Sequence, residues 1–317
     1  MISVGIDIGG TNLALALVSD AGGILARGSR KTPTEGDVSL VADELSALLT
    51  DVLSSTEFSR ADLSRAGVGC PGSIDRDRGE IYFAGNLRFQ NAPLRDTLER
   101  TLSLPVSLEN DANTAALAEA LVGGAKGCRN MILLTLGTGV GGGVVLDGTI
   151  LSGAFGTAGE LGHTVIVEGG APCTCGRRGC LEAYASAPAL LRLTREEMTL
   201  DKNSVLWDML KANGTLSGRA PFEAKRRGDR AGTRAVEAYI GYLACGVANF
   251  INIFGPEMVL IGGGISGEGD DLILPLREAV FPQLFPTGHP PRIERAALGN
   301  DAGLIGAALL GGERALR

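Results

Sequence analysis

The chain has 317 residues, of which 44% are hydrophobic and 21% charged, a balance that belongs to folded globular proteins and excludes a disordered chain. The 29 Lys and Arg against 36 Asp and Glu leave a formal charge of −7, so no basic surplus exists for a phosphate backbone and nucleic acid is not expected as a partner. Aromatic residues make up only 4% while Gly reaches 47, about twice the usual share, which calls for many turns and close backbone approaches.

At roughly twice a typical domain length, two domains are expected. The longest apolar stretch, residues 131–146, is interrupted by Thr and Gly and is too short to span a bilayer, so no membrane partner is expected. The start of the chain carries no basic region followed by a signal-like apolar core, which predicts a cytoplasmic protein.

In chain order, residues 3–8 form an apolar run ending in Gly9-Gly10, residues 11–18 resume it, and the turn at 20–23 lets residues 24–28 return as a third strand. Val38, Val41, Leu45, Leu48 and Val52 recur at helical steps. Residues 66–70 and 105–108 read as strands, and Asn110-Asp111 opens the Ala-rich helix 112–121. The opening pattern of strand, glycine loop, strand, Asp-Gly turn and strand then returns over 130–151, which favours a duplicated α/β architecture. Residues 194–234 are polar and read as a solvated helical or loop insertion. Val236, Ile240, Leu243, Val247, Phe250 and Phe254 line a long core helix, residues 258–261 form a buried strand entering Gly262-Gly263-Gly264, and 302–310 a small-residue helix.

Three glycine loops follow apolar strands: Asp7-Ile8-Gly9-Gly10-Thr11-Asn12, residues 137–143, and Gly262-Gly263-Gly264. Each alone could be a tight turn. Together, with hydroxyls from Thr11 and Thr138, they favour backbone N–H groups converging on nucleotide phosphate. Residues 137–142 formally satisfy G-x-G-x-x-G, but strand rather than helix follows, against a dinucleotide fold. No Lys follows a Gly anywhere, which excludes a Walker-type NTPase. Asn110-Asp111 at a strand-to-helix junction suits both an N-cap and a carboxylate held ionised near a substrate hydroxyl.

His163 precedes Cys173, Cys175 and Cys180. Three thiolates and an imidazole complete a tetrahedral zinc shell, and a closed shell makes the zinc structural. Glu160 and Glu182 bracket this module, either as surface charges or aimed at sugar hydroxyls. Cys70, Cys128 and Cys245 read as small buried hydrophobes.

The set DIGGTN (7–12), GVGCPGSID (67–75), ENDANTAALAEA (109–120), LGTGVGGG (136–143), GELGH (159–163), CTCGRRGCLEAYAS (173–186) and LIGGGIS (260–266) resembles the ROK family of sugar kinases and repressors over nearly the whole chain. The resemblance implies an actin-like (ribonuclease H-like) ATPase fold of two α/β domains around an ATP and sugar cleft. These would be residues 1–118 with a helix at about 302–317, and residues 119–301. By position, Gly9, Gly10, Thr11, Asn12, Gly137, Thr138 and Gly139 would hold ATP phosphates, Gly262 and Gly263 would lie against adenosine, and Asp7 would orient Mg²⁺ through water. Asp111 would be the general base. Gly72, Asn86, Asn110, Asp111, Glu160, His163 and Glu182 would bind the sugar, with His163 also on zinc.

The activity implied is ATP-dependent phosphorylation of a hexose, glucose first. Fructose, N-acetylglucosamine or N-acetylmannosamine are alternatives on the same scaffold, and a non-catalytic sugar sensor is a further one. Family repressors carry a DNA-binding domain ahead of the first loop, for which residues before Ser3 leave no room. A homodimer is expected, as two-fold pairs are the commonest assembly.

Overall fold

The computed structural model describes residues 1–33, 35–286 and 288–312. β1 (Ile2–Ile8), β2 (Asn12–Ser19) and β3 (Ile24–Lys31) form the expected antiparallel meander. α1 (Val38–Ser54) starts at Asp37, whose carboxylate accepts the Ser39 N–H at 2.7 Å, and it buries Val41, Leu45, Leu48 and Val52 on the predicted face. β4 (Leu63–Cys70) runs parallel to β1.

Four elements that the sequence pattern does not reveal come next. β5 (Ser73–Asp75), β6 (Glu80–Ala84) and β7 (Phe89–Ala92) make a small antiparallel sheet, and α2 (Leu94–Leu102) follows. β8 (Val106–Asn110) then pairs parallel with β4, and α3 (Asp111–Leu121) leaves directly from its end.

β9 (Met131–Leu136), β10 (Val140–Leu146) and β11 (Thr149–Ile150) repeat the opening. α4 (Glu182–Ala185), α5 (Ala187–Leu200), α6 (Val205–Asn213), α7 (Ala220–Arg226) and α8 (Arg230–Phe254) follow. The chain closes with β12 (Met258–Gly262), α9 (Asp270–Val280), β13 (Arg292–Arg295) and α10 (Ala302–Leu309). The two larger sheets have orders β3-β2-β1-β4-β8 and β11-β10-β9-β12-β13. Each is a meander followed by two further strands, so the duplication read from the sequence is present in the topology.

The chain gathers into two compact units. Unit 1 comprises Met1–Met131, Gly143–Gly159 and the residues from Ala297, and unit 2 comprises Ile132–Gly142 and Glu160–Ala296. The units thus interleave more than the division at 118/119 drawn from the sequence. The end of β10 packs on α3 of unit 1, where a β-carbon on Gly143 would stand 2.5 Å from the Ala116 methyl. Residues 313–317 of the expected C-terminal helix lie outside the described residues.

In unit 2 the polar segment 194–234 is more than a solvated insertion, because Met198, Leu206, Leu216, Ala220, Ala224 and Ala231 form a small core of their own. α8 packs against α5, α7 and α9. By length and composition alone it would be able to cross a membrane, but its Val236, Ile240, Leu243, Val247 and Phe250 are buried against the rest of the unit. Cys70 and Cys128 are buried as expected, and Cys245 is half-buried.

The small-residue helix α10 accounts for three glycines of unit 1. A β-carbon on Gly5 would stand 2.0 Å from the Leu304 carbonyl oxygen, one on Gly67 1.8 Å from that of Ala307, and one on Gly306 1.7 Å from that of Thr114. α10 therefore lies on the backbones of β1, β4 and α3. Gly67→Ala is expected to cost more than about 3 kcal/mol or to prevent folding, since a backbone carbonyl cannot yield as a side chain does. Gly241→Ala, on the exposed face of α8 with nothing within 4 Å, is expected to be neutral or stabilising by up to about 1 kcal/mol. Paired thermal or urea denaturation of the two variants checks both.

Candidate active site

In unit 1 the parallel strands β1, β4 and β8 end together, with Asp7 opposite Gly69 and Cys70 opposite Asn110. Ligands of such sheets bind off the carboxyl ends of the strands, and the predicted residues lie there or on the loops that follow. After β1, the Gly9 N–H donates to the Asn12 carbonyl at 2.9 Å and the Thr32 hydroxyl donates to the Gly9 carbonyl at 2.6 Å. This fixes the loop and leaves Thr11 and Asn12 exposed. Gly10 lies against Asn86, whose β-carbon would be 3.1 Å from one added at Gly10. After β4, Gly72 has φ +107°, and a β-carbon there would meet the Phe83 carbonyl oxygen at 2.2 Å, so the turn requires glycine.

At the end of β8, the Asn110 side-chain carbonyl oxygen accepts the N–H groups of Ala112 and Asn113 at 2.9 and 3.3 Å, the predicted N-cap. Asp111 then stands at the positive end of α3, and its Oδ1 accepts the Ala112 N–H at 2.9 Å. Desolvation by surrounding protein raises the Asp111 pKa, while that N–H pulls it back. The side chain keeps an exposed surface, which limits the upward push. Asp7 is pushed up to about 6, first by burial and then by the charge of Asp111. The two carboxylates are therefore within electrostatic reach.

The sequence reading passes over Glu109, which is 2% exposed. Its carboxylate accepts from the Asn110 N–H at 2.8 Å and from Asn113 Nδ2 at 3.0 Å, and pairs with Arg76 at 3.1 Å. The available signal was a Glu directly after Leu108 in a parallel strand, a position where burial demands a partner.

In unit 2 the loop between β9 and β10 is held by hydrogen bonds from Gly137 N–H to the Gly139 carbonyl at 3.0 Å and from Ala187 N–H to the Gly137 carbonyl at 2.8 Å. Thr138 is exposed at its tip. Gly262 ends β12, and Gly263 has φ +79° with the Leu136 backbone 2.5 Å from a would-be β-carbon. The third glycine loop therefore meets the end of β9, just before the second, backbone to backbone.

His163, Cys173, Cys175 and Cys180 bring four ligand atoms within 4.8 Å of one another. The Cys173 Sγ to His163 Nδ1 distance is 3.5 Å and the Cys175 to Cys180 Sγ distance 3.7 Å. A tetrahedral zinc with Zn–S of about 2.3 Å and Zn–N of about 2.0 Å demands edges of about 3.5–3.8 Å, so these residues fit the ion. Gly176 and Gly179 have φ of +84° and +81°, and a β-carbon on Gly179 would lie 1.7 Å from the Val167 carbonyl oxygen. The Nδ1 side of His163 is the one turned to Cys173, which makes Nδ1 the nitrogen placed for the ion.

Glu160 precedes the short 3₁₀ turn of Leu161–His163 and is exposed. Glu182 is placed differently from a free surface charge. One oxygen accepts the Val140 N–H at 3.1 Å and the other accepts the Thr174 hydroxyl at 2.6 Å. Thr174 is a second residue that sequence reasoning missed, since nothing but its place between two cysteines marks it.

With this geometry in view, the comparisons with known proteins decide the family. The model of the ROK family matches residues 3–314. The chain belongs to the ROK family. It is 41% identical to the glucokinase of Halalkalibacterium halodurans over 97% of this chain and 94% of that one. It is 39% identical to the glucokinase of Thermotoga maritima over 98% and 97%. The crystal structure of a ROK family glucokinase from Streptomyces griseus in complex with glucose and AMPPNP matches with a TM-score of 0.82 at 32% identity, covering 98% of this chain and 99% of that one. The fold is accordingly the actin-like ATPase fold of ROK sugar kinases.

Two outcomes follow from the site. The purified protein is expected to hold one zinc per chain, and Cys175→Ser to lose it with a lowered melting temperature; elemental analysis and calorimetry check this. For Asp7, a folded-state pKa of about 6 against 3.8 means that the folded protein binds the proton more tightly. Stability from this group is then present below about pH 4 and lost as pH rises through about 6. Asp7→Asn should therefore stabilise the ligand-free protein by about 1–3 kcal/mol near pH 8 and by nothing near pH 4, read by urea denaturation.

Proposed function

We propose that the protein transfers the γ-phosphoryl group of ATP to the primary hydroxyl of a hexose, converting glucose to glucose 6-phosphate. The observation that carries the reading is Asp111. It is a carboxylate at a helix N-terminus, off the ends of three strands, with its pKa raised by desolvation. The substrate is read from the glucokinases to which the chain is 41% and 39% identical.

Phosphoryl transfer asks little covalent chemistry of a protein, and catalysis is mainly positioning and charge stabilisation. The Asp111 carboxylate accepts the hydroxyl proton as the new O–P bond forms and the β–γ bridging O–P bond breaks. ADP leaves with the electron pair. Asn86 and Asn110 offer hydrogen bonds to sugar hydroxyls, as do Glu160, His163 and Glu182. The backbones of Gly9, Gly10, Gly137 and Gly139, with the hydroxyls of Thr11 and Thr138, hold phosphate oxygens. Gly262 and Gly263 lie against adenosine. Asp7 is the residue placed to hold Mg²⁺ through water, and the ion when bound would neutralise charge on the phosphates. Its raised pKa fits a carboxylate that gains its ionised form from a nearby cation.

Zinc, when held by His163, Cys173, Cys175 and Cys180, would order the segment that presents His163. We place the protein in the cytoplasm as a homodimer, on its composition and its resemblance to family kinases.

Asp111→Asn keeps the cap at Asn110 and removes the proton acceptor. It is expected to fold normally and to lower kcat by about 10²–10⁴. Coupled ADP-release assays across glucose, fructose, mannose and N-acetylated hexoses test both claims. A folded variant with near-normal kcat refutes the base, and a higher kcat/KM for another hexose refutes glucose.

A further inference from the structure

In unit 2, residues just after the zinc ligands grip the second glycine loop at two places. Cys180 is followed by Leu181, whose N–H donates to the Thr164 carbonyl at 2.9 Å, and by α4. From the start of α4, Glu182 Oε2 accepts the Val140 N–H at 3.1 Å. From the start of α5, the Ala187 N–H donates to the Gly137 carbonyl at 2.8 Å. The carboxylate also fills the space beneath the loop, because a β-carbon on Gly139 would stand 2.5 Å from Glu182 Oε2. Glu182 Oε1 turns the other way, accepting the Thr174 hydroxyl at 2.6 Å and lying 3.5 Å from Cys173 Sγ. Thr174 stands between two of the zinc ligands. A single carboxylate thus spans the metal knuckle and the loop.

We propose that Glu182 is a positioning residue which transmits the order of the zinc knuckle to the loop of residues 137–140, so that zinc sets nucleotide affinity independently of sugar. The consequence for ADP rests on the reading that this loop holds phosphates. The ordering of the loop does not.

A loop that offers N–H groups to an anion binds well only if those groups are held before the anion arrives. Hydrogen bonds to a charged acceptor are the stronger kind, and losing one is expected to weaken binding by about tenfold. The metal holds Cys173 and Cys175, these fix Thr174, and Thr174 orients the carboxylate toward Val140.

The test uses the zinc-loaded protein and the variants Glu182→Gln and Thr174→Val, with zinc content confirmed for each. Calorimetry with Mg²⁺-ADP in the absence of sugar, calorimetry with glucose alone, and hydrogen exchange over 137–142 are measured with zinc and after chelation. The expected result is about tenfold weaker ADP binding and faster exchange at 137–142 in both variants, with a smaller effect for Thr174→Val. Chelation should produce the same changes in the wild type and add little to Glu182→Gln. If both variants keep wild-type ADP affinity and exchange and lose only glucose affinity, Glu182 acts on the sugar alone and the proposal is overturned. If Glu182→Gln does not fold, Thr174→Val decides alone, and wild-type exchange in it overturns the proposal. If the exchange changes appear but no form binds ADP, the strut stands and the phosphate reading of the loop falls.

Discussion

The arrangement of unit 1 depends on a contact in which no side chain takes part. Helix α10 lies directly on the backbones of β1 and β4 and meets α3 at Gly306. These are the strands that end near Asp7 and Cys70 and the helix that begins with Asp111. Close packing leaves no room for a methyl group at any of the three glycines, and interiors at this density transmit small shifts rather than absorbing them. The separation of the two carboxylates is therefore set by backbone against backbone, which has fewer ways to relax than interlocked side chains. The would-be β-carbon of Gly303 is 3.8 Å from Asp7 Oδ2, so the same helix also bounds the space around that acid.

Unit 2 reaches order by another route. The segment 160–181 holds little regular secondary structure beyond one 3₁₀ turn, and a chain of that kind carries conformational entropy that hydrophobic burial alone does not offset. Its constraints are the positive-φ glycines at 176 and 179, the isolated bridges Val165 to Cys180 and Pro172 to Arg178, and four groups spaced for one ion. Zinc held there would stand in for a core, as in small metal modules whose binding free energy is folding free energy.

What could be read from the sequence tracks what each feature depends on. The meanders, the α1 face and the Asn110 cap are local, set by periodicity and by the hydrogen-bonding habit of one side chain, and they appear where expected. The zinc set was legible because three cysteines and a histidine seldom gather within so short a stretch of chain except around a metal. The sheet β5-β6-β7 was not, because its strands are three to five residues long, and Arg88 just before β7 and Asn91 within it take left-handed φ without glycine to mark them. Glu109, Arg76 and Asn113 escaped for a different reason. The Glu109–Asn113 bond is a four-residue step at the junction of β8 and α3, but the pairing with Arg76 joins positions 33 residues apart, and neither spacing nor composition encodes it.

The two carboxylates of unit 1 are not equivalent, and the difference supports their separate assignments. Asp111 has a donor at 2.9 Å and the first turn of α3 beneath it, both of which favour the ionised form against the cost of desolvation. For Asp7 burial and the neighbouring negative charge act in the same direction, and its pKa comes to about 6. A carboxylate supported by fixed dipoles can stay ionised in the ligand-free protein and take a proton as charge moves in the transition state. One without such support is ionised most readily when a cation arrives, because opposite charge reverses the shift that like charge and burial impose. Environments that push two neighbouring acids apart in this way are how one site divides proton transfer from cation binding. Here the two environments follow from what comes after each strand: β8 runs straight into α3, which begins with Asp111, whereas β1, with Asp7 next to its last residue, runs into a glycine hairpin.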